Sequence, residues 1–298
     1  MNFRHHTVAL AATGLCLFAA CGSDDDEDSA GGDSAGSSKP AAFAITTSES
    51  GKKVTIDAPE TIEAGLTEIT LENAGKGSHD AQLVRVDGDQ TAEQVLSEVL
   101  ESGEGAPTPD WAHGAGGIGT TPGGQTGRAT QVLEPGTYYL ADTESSGGEG
   151  EGTSNAKNGG IVKFEVTGDA ASAELPATDG SIVANEYSFE ATGLKAGKNE
   201  ITFDNTGKEL HHTIAFPLNK GATLADAKKA FASEKPPSGP PPVDFEAGAS
   251  TAVLDGGEKQ TTELDLKKGK YVLLCFIADR AGGPPHVAKG MVSEATVE

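Results

Sequence analysis

The sequence predicts an all-β protein built as two tandem Greek-key β-sandwiches, each with one short inserted helix. Three observations carry that prediction. The 298 residues include 40 glycines and 15 prolines but only 5% aromatic residues, a composition that interrupts long helices and suits short strands joined by turns. Residues 65–99 lie over residues 197–231 at a constant offset of 132, with nine identities and no gap, so one unit is written twice. Polar and apolar residues alternate over 68–72, 200–204 and 163–166, the period of a strand with one buried face.

At the N-terminus, Arg4, His5 and His6 precede a compact apolar run over 7–20 that closes on small residues. That is the layout of a secretory signal, too short to span a bilayer. The run ends Leu17-Phe18-Ala19-Ala20-Cys21-Gly22, which resembles a bacterial lipobox with Phe18 where Leu is usual. The resemblance implies that 1–20 is a lipoprotein signal peptide and that Cys21 is diacylated and becomes the mature N-terminus. Residues 21–40 then form an acidic, Gly/Ser/Ala-rich tether that cannot bury a core and is expected to be disordered. The expected location is the extracytoplasmic face of a cell membrane, with the lipid bilayer as a partner through the anchor.

Two folded domains are expected, 41–168 and 174–298. Each has a strand that ends in an Asn-x-Gly turn, Asn73-Ala74-Gly75 and Asn205-Thr206-Gly207. His79 follows the first turn and falls on His211 in the second copy. Thr91 and Thr223 occupy N-cap positions of short helices over 91–101 and 223–231. Only the first, with Gln94 three residues on, has the capping-box pattern. Pro107, Pro109 and the proline-rich stretch 236–242 stop regular structure. A Gly-x-Tyr strand and a last strand close each copy.

Charge narrows the partners. Asp and Glu number 45 against 22 Lys and Arg, a formal net charge of −23. Such a surface repels nucleic-acid backbones and gains nothing from anionic lipid.

The residues that carry chemistry sit in the second copy. The strand over 271–275 ends at Cys275, His286 and Met291 follow with four residues between them, and His211 and His212 come after the second Asn-x-Gly turn. This order resembles the cupredoxins, the plastocyanin-type blue-copper proteins, with their early His after an Asn-containing turn, Gly-x-Tyr strand running to Cys, then His, then Met. The resemblance implies one type 1-like copper site drawn from His211, His212, Cys275, His286 and Met291, because copper that cycles between two oxidation states suits one thiolate, two imidazoles and a weak thioether. The repeat register favours His211. Strand phase favours His212, which shares a face with Ile214 and Phe216. Ten residues separate Cys275 from His286, more than in small cupredoxins although copper nitrite reductases also carry a long insert there. Asp279 and the Gly282-Gly283-Pro284-Pro285 turn give this insert the means to fold back.

The first copy keeps only His79. Asp142 stands where Cys275 stands, and Asn155 and Gly160 fall near His286 and Met291, so this domain is expected to hold no copper and to act as a spacer or docking module. His113, beside Trp111 in a Gly-rich stretch, reads as a solvated loop histidine. Together these readings imply a membrane-anchored, extracytoplasmic cupredoxin-like lipoprotein that binds copper in its C-terminal domain for electron transfer or copper handling, with a redox or copper-transfer protein as partner. A metal-free binding or structural module is the alternative. Five histidines beyond the signal are too few for a second copper centre, and no nucleophile triad or phosphate loop stands out, so the chain is expected not to be an enzyme.

Overall fold

Alternating burial runs through the strands over 41–50, 65–73 and 197–205 of the structure, a computed structural model that describes residues 39–146, 153–170, 172–232 and 239–298. The expected signal peptide, the expected lipidation site Cys21 and the expected tether up to residue 38 lie outside the described residues. In the first half the strands are β1 (Ala41–Ser50), β2 (Lys53–Asp57), β3 (Thr61–Glu63), β4 (Gly65–Asn73), β5 (His79–Val86), β6 (Ala112–Thr121), β7 (Thr126–Leu133), β8 (Gly136–Ala141), the short pair β9 (Ser145–Ser146) and β10 (Thr153–Ser154), and β11 (Ile161–Thr167). In the second half they are β12 (Gly180–Asn185), β13 (Ser188–Thr192), β14 (Gly197–Asn205), β15 (Ile214–Pro217), β16 (Ala249–Ser250), β17 (Lys259–Leu266), β18 (Gly269–Leu274) and β19 (Val292–Val297).

Strand order is the same in the two halves. One sheet of the first runs β2-β1-β4-β7, and one sheet of the second runs β13-β12-β14-β17. The opposing sheets run β3-β11-β8-β5-β6 and β16-β15-β18-β19. Each pair of sheets encloses its own core. Phe43, Ile69, Leu71, Leu83 and Phe164 fill the first, with the Phe43 and Phe164 rings 4.7 Å apart. Ile182, Ile201, Phe203, Leu264 and Leu273 fill the second. Burying one such side chain stabilises the fold by roughly 1.5–3 kcal/mol.

The helices are short. Thr91 caps α1 (Ala92–Val95), which widens at once into a π turn over Leu96–Leu100, and Thr223 caps α2 (Leu224–Phe231). Both caps are reciprocal: the Thr91 N–H donates to Gln94 Oε1 at 3.0 Å and the Thr223 N–H to Asp226 Oδ2 at 2.9 Å. The expectation that only the first would close is thus corrected. The Asp226 carboxylate offers the same acceptor as Gln94, and its charge suits the positive end of a helix.

The halves do not stand apart. β7 and β17 pair antiparallel through Thr130↔Thr261 and Ala129↔Thr262, joining the two four-stranded sheets into one of eight strands. An edge strand presents unpaired backbone groups, and each half covers the other's. The two tandem sandwiches are thus joined edge to edge through a shared sheet. The described residues form a single compact unit.

β6 explains how the halves come so close. Its sequence, AHGAGGIGTT, reads as a loop, yet it is a ten-residue strand. A Cβ on Gly119 would lie 2.0 Å from the Ser250 carbonyl oxygen, so only glycine admits the backbone of the second half at that point. Gln82 seals the same seam: its Oε1 accepts from the Val253 N–H at 2.7 Å, and its Nε2 donates to the carbonyls of Gly116 and Val253 at 3.2 Å.

Candidate metal centre

The first donor is placed by a turn. The Asn205 side chain closes the Asn-x-Gly turn after β14, donating to the carbonyls of Glu209 at 2.8 Å and Leu254 at 2.9 Å and accepting from the Gly207 N–H at 3.1 Å. Leu254 then exchanges backbone hydrogen bonds with His211 at 3.0 and 2.9 Å. This single bridge points the His211 imidazole inward.

The second donor stands one residue past β18, whose buried run Tyr271–Leu274 leads into Cys275. The ten-residue insert leaves here and comes straight back. The Val287 N–H donates to the Cys275 carbonyl and the His286 N–H to the Ile277 carbonyl, both at 2.8 Å, while the Met291 N–H reaches the His286 carbonyl at 2.9 Å. His211, Cys275, His286 and Met291 are all 0% exposed.

Their donor atoms converge. Cys275 Sγ lies 3.5 Å from His286 Nδ1, which lies 3.1 Å from His211 Nδ1. The ligating atoms of His211, Cys275 and His286 all fall within 4.8 Å of one another. Met291 packs in the same buried cluster as Cys275. Among the described residues His211 Nε2 is buried with no hydrogen-bond partner. A thiol facing two imidazole nitrogens in a fully buried pocket is the donor set of a type 1-like copper site, and these residues fit that ion.

His212, the other upstream candidate, is not part of the group. Its ring turns away, and Nε2 accepts from the Phe276 N–H at 3.1 Å. The reason lies in the backbone. β15 begins only at Ile214, so the alternation of Ile214 and Phe216 does not extend back to His212. His212 serves the sulfur by its main chain instead. Burial pushes the Cys275 thiol up to about 12, and the backbone N–H groups of His212 and Ile277 pull it down against that. Burial also lowers His211 to about 4 and holds His286 below its ordinary value, so the site is uncharged at neutral pH.

The insert is tied on both sides. Asp279 Oδ1 accepts from His286 Nε2 at 3.1 Å and from the Tyr187 hydroxyl at 3.0 Å, while Oδ2 accepts from Lys289 Nζ. Further along, the insert meets the first half. The Arg280 carbonyl accepts from the Thr108 N–H at 2.9 Å, the Gly283 N–H donates to the Gly105 carbonyl at 2.9 Å, and Arg280 Nη1 donates to the Ala112 carbonyl at 3.2 Å. Arg280 also pairs with Asp255.

In the first half the corresponding residues form a different group. The His79 ring contacts Asp142 through Nδ1 and Glu49 Oε2 through Nε2 at 2.7 Å, and Asn155 Nδ2 lies 3.2 Å from His79 Nδ1. Burial, the largest influence on His79, pulls its pKa down, but the hydrogen bonds it donates to Glu49 and Asp142 outweigh that and raise it. Sequence reasoning missed Glu49, which lies outside the repeated stretch. It also misread His113: the ring bridges Asp87 at 2.9 Å and Asp255 at 3.2 Å, one acid from each half.

No family model matches the chain, and no curated protein matches it. Solved structures do. The chain is similar to auracyanin from Roseiflexus castenholzii at 22% identity, over 40% of this chain and 94% of that one, with a TM-score of 0.26. It is similar to the copper nitrite reductase of Nitrosomonas europaea at 14% identity, over 87% of this chain and 94% of that one, with a TM-score of 0.25. A multicopper oxidase matches at 14% identity over 86% of this chain and 88% of its own, with a TM-score of 0.23. At scores this low the assignment rests on the strand order and the donor group described above. The fold is cupredoxin-like. The expectation that the chain is not an enzyme is corrected here, because the similar structures include multicopper oxidase and copper nitrite reductase, which are enzymes, beside the auracyanins.

Proposed function

We propose that the C-terminal half binds one copper ion through His211 Nδ1, Cys275 Sγ and His286 Nδ1, with the Met291 thioether as a weak fourth donor, and that the protein uses it for electron transfer or copper handling. The observation that carries this reading is the buried convergence of one thiol and two imidazole nitrogens. Bound copper would supply a one-electron change between its two oxidation states. The protein's own residues do the rest. Two main-chain N–H groups face the sulfur, the buried rings stay neutral, and the cupredoxin-like scaffold fixes both strand ends so that the ligand set need not rearrange.

In this reading the globular part comprises domains 41–168 and 174–298, a lipid on Cys21 tethers it to the extracytoplasmic face of a membrane, and a redox or copper-transfer protein is the partner. Among the described residues no helix is long and apolar enough to cross a membrane. The test is addition of Cu(II) to the metal-free protein. An intense visible band from thiolate-to-copper charge transfer, absent in Cys275→Ser, is the expected result. A colourless protein with an unreacted thiol would point instead to a metal-free module. The anchor is tested separately: Cys21→Ala is expected to leave the membrane fraction, and retention there would defeat the lipobox reading.

A further inference from the structure

We propose that Asp279 is a positioning residue of the centre, holding His286 in the tautomer that turns Nδ1 toward Cys275 and setting the balance between the two copper oxidation states. This rests on the copper reading above. Three observations support it.

The first is the contact. A carboxylate only accepts hydrogen bonds, so the 3.1 Å approach of Asp279 Oδ1 to His286 Nε2 puts the ring proton on Nε2 and leaves the Nδ1 lone pair facing the sulfur. The second is the clamp on Asp279. The Tyr187 hydroxyl donates to the same oxygen at 3.0 Å, and Lys289 Nζ holds the other oxygen. Lys289 also donates to the Tyr187 hydroxyl at 3.1 Å and lies 4.8 Å from the centre of its ring. The third is the edge of Tyr187 against the His286 ring, with centroids 5.2 Å apart and planes inclined at 60°, which blocks rotation of the imidazole.

These contacts come from three separate segments: the strand-linking turn at Tyr187, the insert at Asp279 and the turn at Lys289. A salt bridge between Asp279 and Lys289 alone would close the insert. It would not require His286 to face the same carboxylate. The added contact has an electrostatic consequence, because negative charge on the far side of a ligating imidazole favours the more highly charged metal. Asp279 therefore favours Cu(II) over Cu(I), and Lys289 tempers that preference.

The experiment has two readouts. In the metal-free protein, nitrogen-15 NMR of the histidines reads the tautomer. Wild type is expected to carry the His286 proton on Nε2, and Asp279→Ala to lose that preference. A proton on Nδ1 in wild type, or an unchanged Asp279→Ala spectrum, overturns the proposal. In the copper-loaded protein, the reduction potential reads the charge. Asp279→Asn keeps the shape and loses the charge, and is expected to shift the Cu(II)/Cu(I) affinity ratio about tenfold toward Cu(I), a rise of about 59 mV for a one-electron couple. Lys289→Met leaves the carboxylate uncompensated and is expected to move the potential the opposite way. A purely structural role would move both variants in one direction or neither, and either result overturns the proposal. If wild type shows the expected tautomer but no charge-transfer band, the copper reading fails while the positioning of His286 stands.

Discussion

Replacing Arg280 with alanine tests whether the first half braces the metal loop. Arg280 lies within the insert of the second half, yet its guanidinium reaches the Ala112 carbonyl of the first and pairs with Asp255, which in turn holds His113 of the first half. The side chains of Arg280 and Asp255 are 28% and 18% exposed, so the ion pair keeps part of its strength and is worth about 1 kcal/mol. The hydrogen bond to Ala112 adds about 1 kcal/mol. The backbone links of Arg280 to Thr108 and Glu209 survive the substitution, so the variant should fold with a loss of about 2 kcal/mol. For a unit of this size each kcal/mol lowers the melting temperature by about 2–4 °C, giving a fall of about 4–8 °C. The assay is thermal unfolding followed in parallel by far-UV circular dichroism and by the fluorescence of Trp111, the single tryptophan, which packs in the first half. Both probes are expected to shift together. A shift seen by dichroism alone, with the Trp111 transition unmoved, would show that the halves unfold separately and refute the reasoning.

Three further outcomes follow from the same contacts. His211→Ala should abolish copper binding, whereas His212→Ala should retain it with small spectral change, because His212 faces the sulfur by its main chain; copper titrations of both variants check this. Copper affinity should rise about tenfold per pH unit near neutrality with one proton released per ion, since Cys275 near 12 gives up its proton while His211 near 4 and the lowered His286 have none to lose; calorimetry in buffers of different ionisation enthalpy counts the protons. Glu49 is held down to about 2, chiefly by its hydrogen bond from His79, so its stabilisation is complete above its ordinary value of 4.5 and is lost as pH falls toward 2; denaturant unfolding across that window should show a slope that Glu49→Gln flattens.

Local physics governed what was legible in the chain. β4 and β14 were readable because one face of each is buried and the alternation is unbroken from Gly65 to Asn73 and over most of Gly197–Asn205. The order of the candidate donors was readable because Cys275 is fixed by the strand before it and His286 and Met291 share one short turn. His211 against His212 was not decidable by strand phase, since the chain between β14 and β15 is a turn and a single bridge, across which a period of two has no meaning. His113 looked like a loop residue because glycine is rare in strands. Here the glycines of β6 answer to a neighbour far along the chain, and no local pattern announces a backbone at the position of Ser250. The pairing of β7 with β17 was hidden for the same reason: two edge strands meet through only two register pairs, and each alone reads as an ordinary half-buried strand.

The insert between Cys275 and His286 shows how a long loop can tighten a site. Closing a flexible loop of ten residues costs more entropy than closing one of three, and that cost falls on the alignment of His286 unless the loop is fixed elsewhere. It is fixed at both flanks. Asp279 is held within its own half by Tyr187 and Lys289, and the stretch from Arg280 to Gly283 is hydrogen-bonded to Gly105, Thr108 and Ala112 across the seam. Thr108 and Gly105 belong to the proline-bearing stretch after α1 of the first half. The half without the His–Cys–His set is thus a wall of the half that has it, and the glycines of β6 are what allow the wall to stand close enough to bear on the loop.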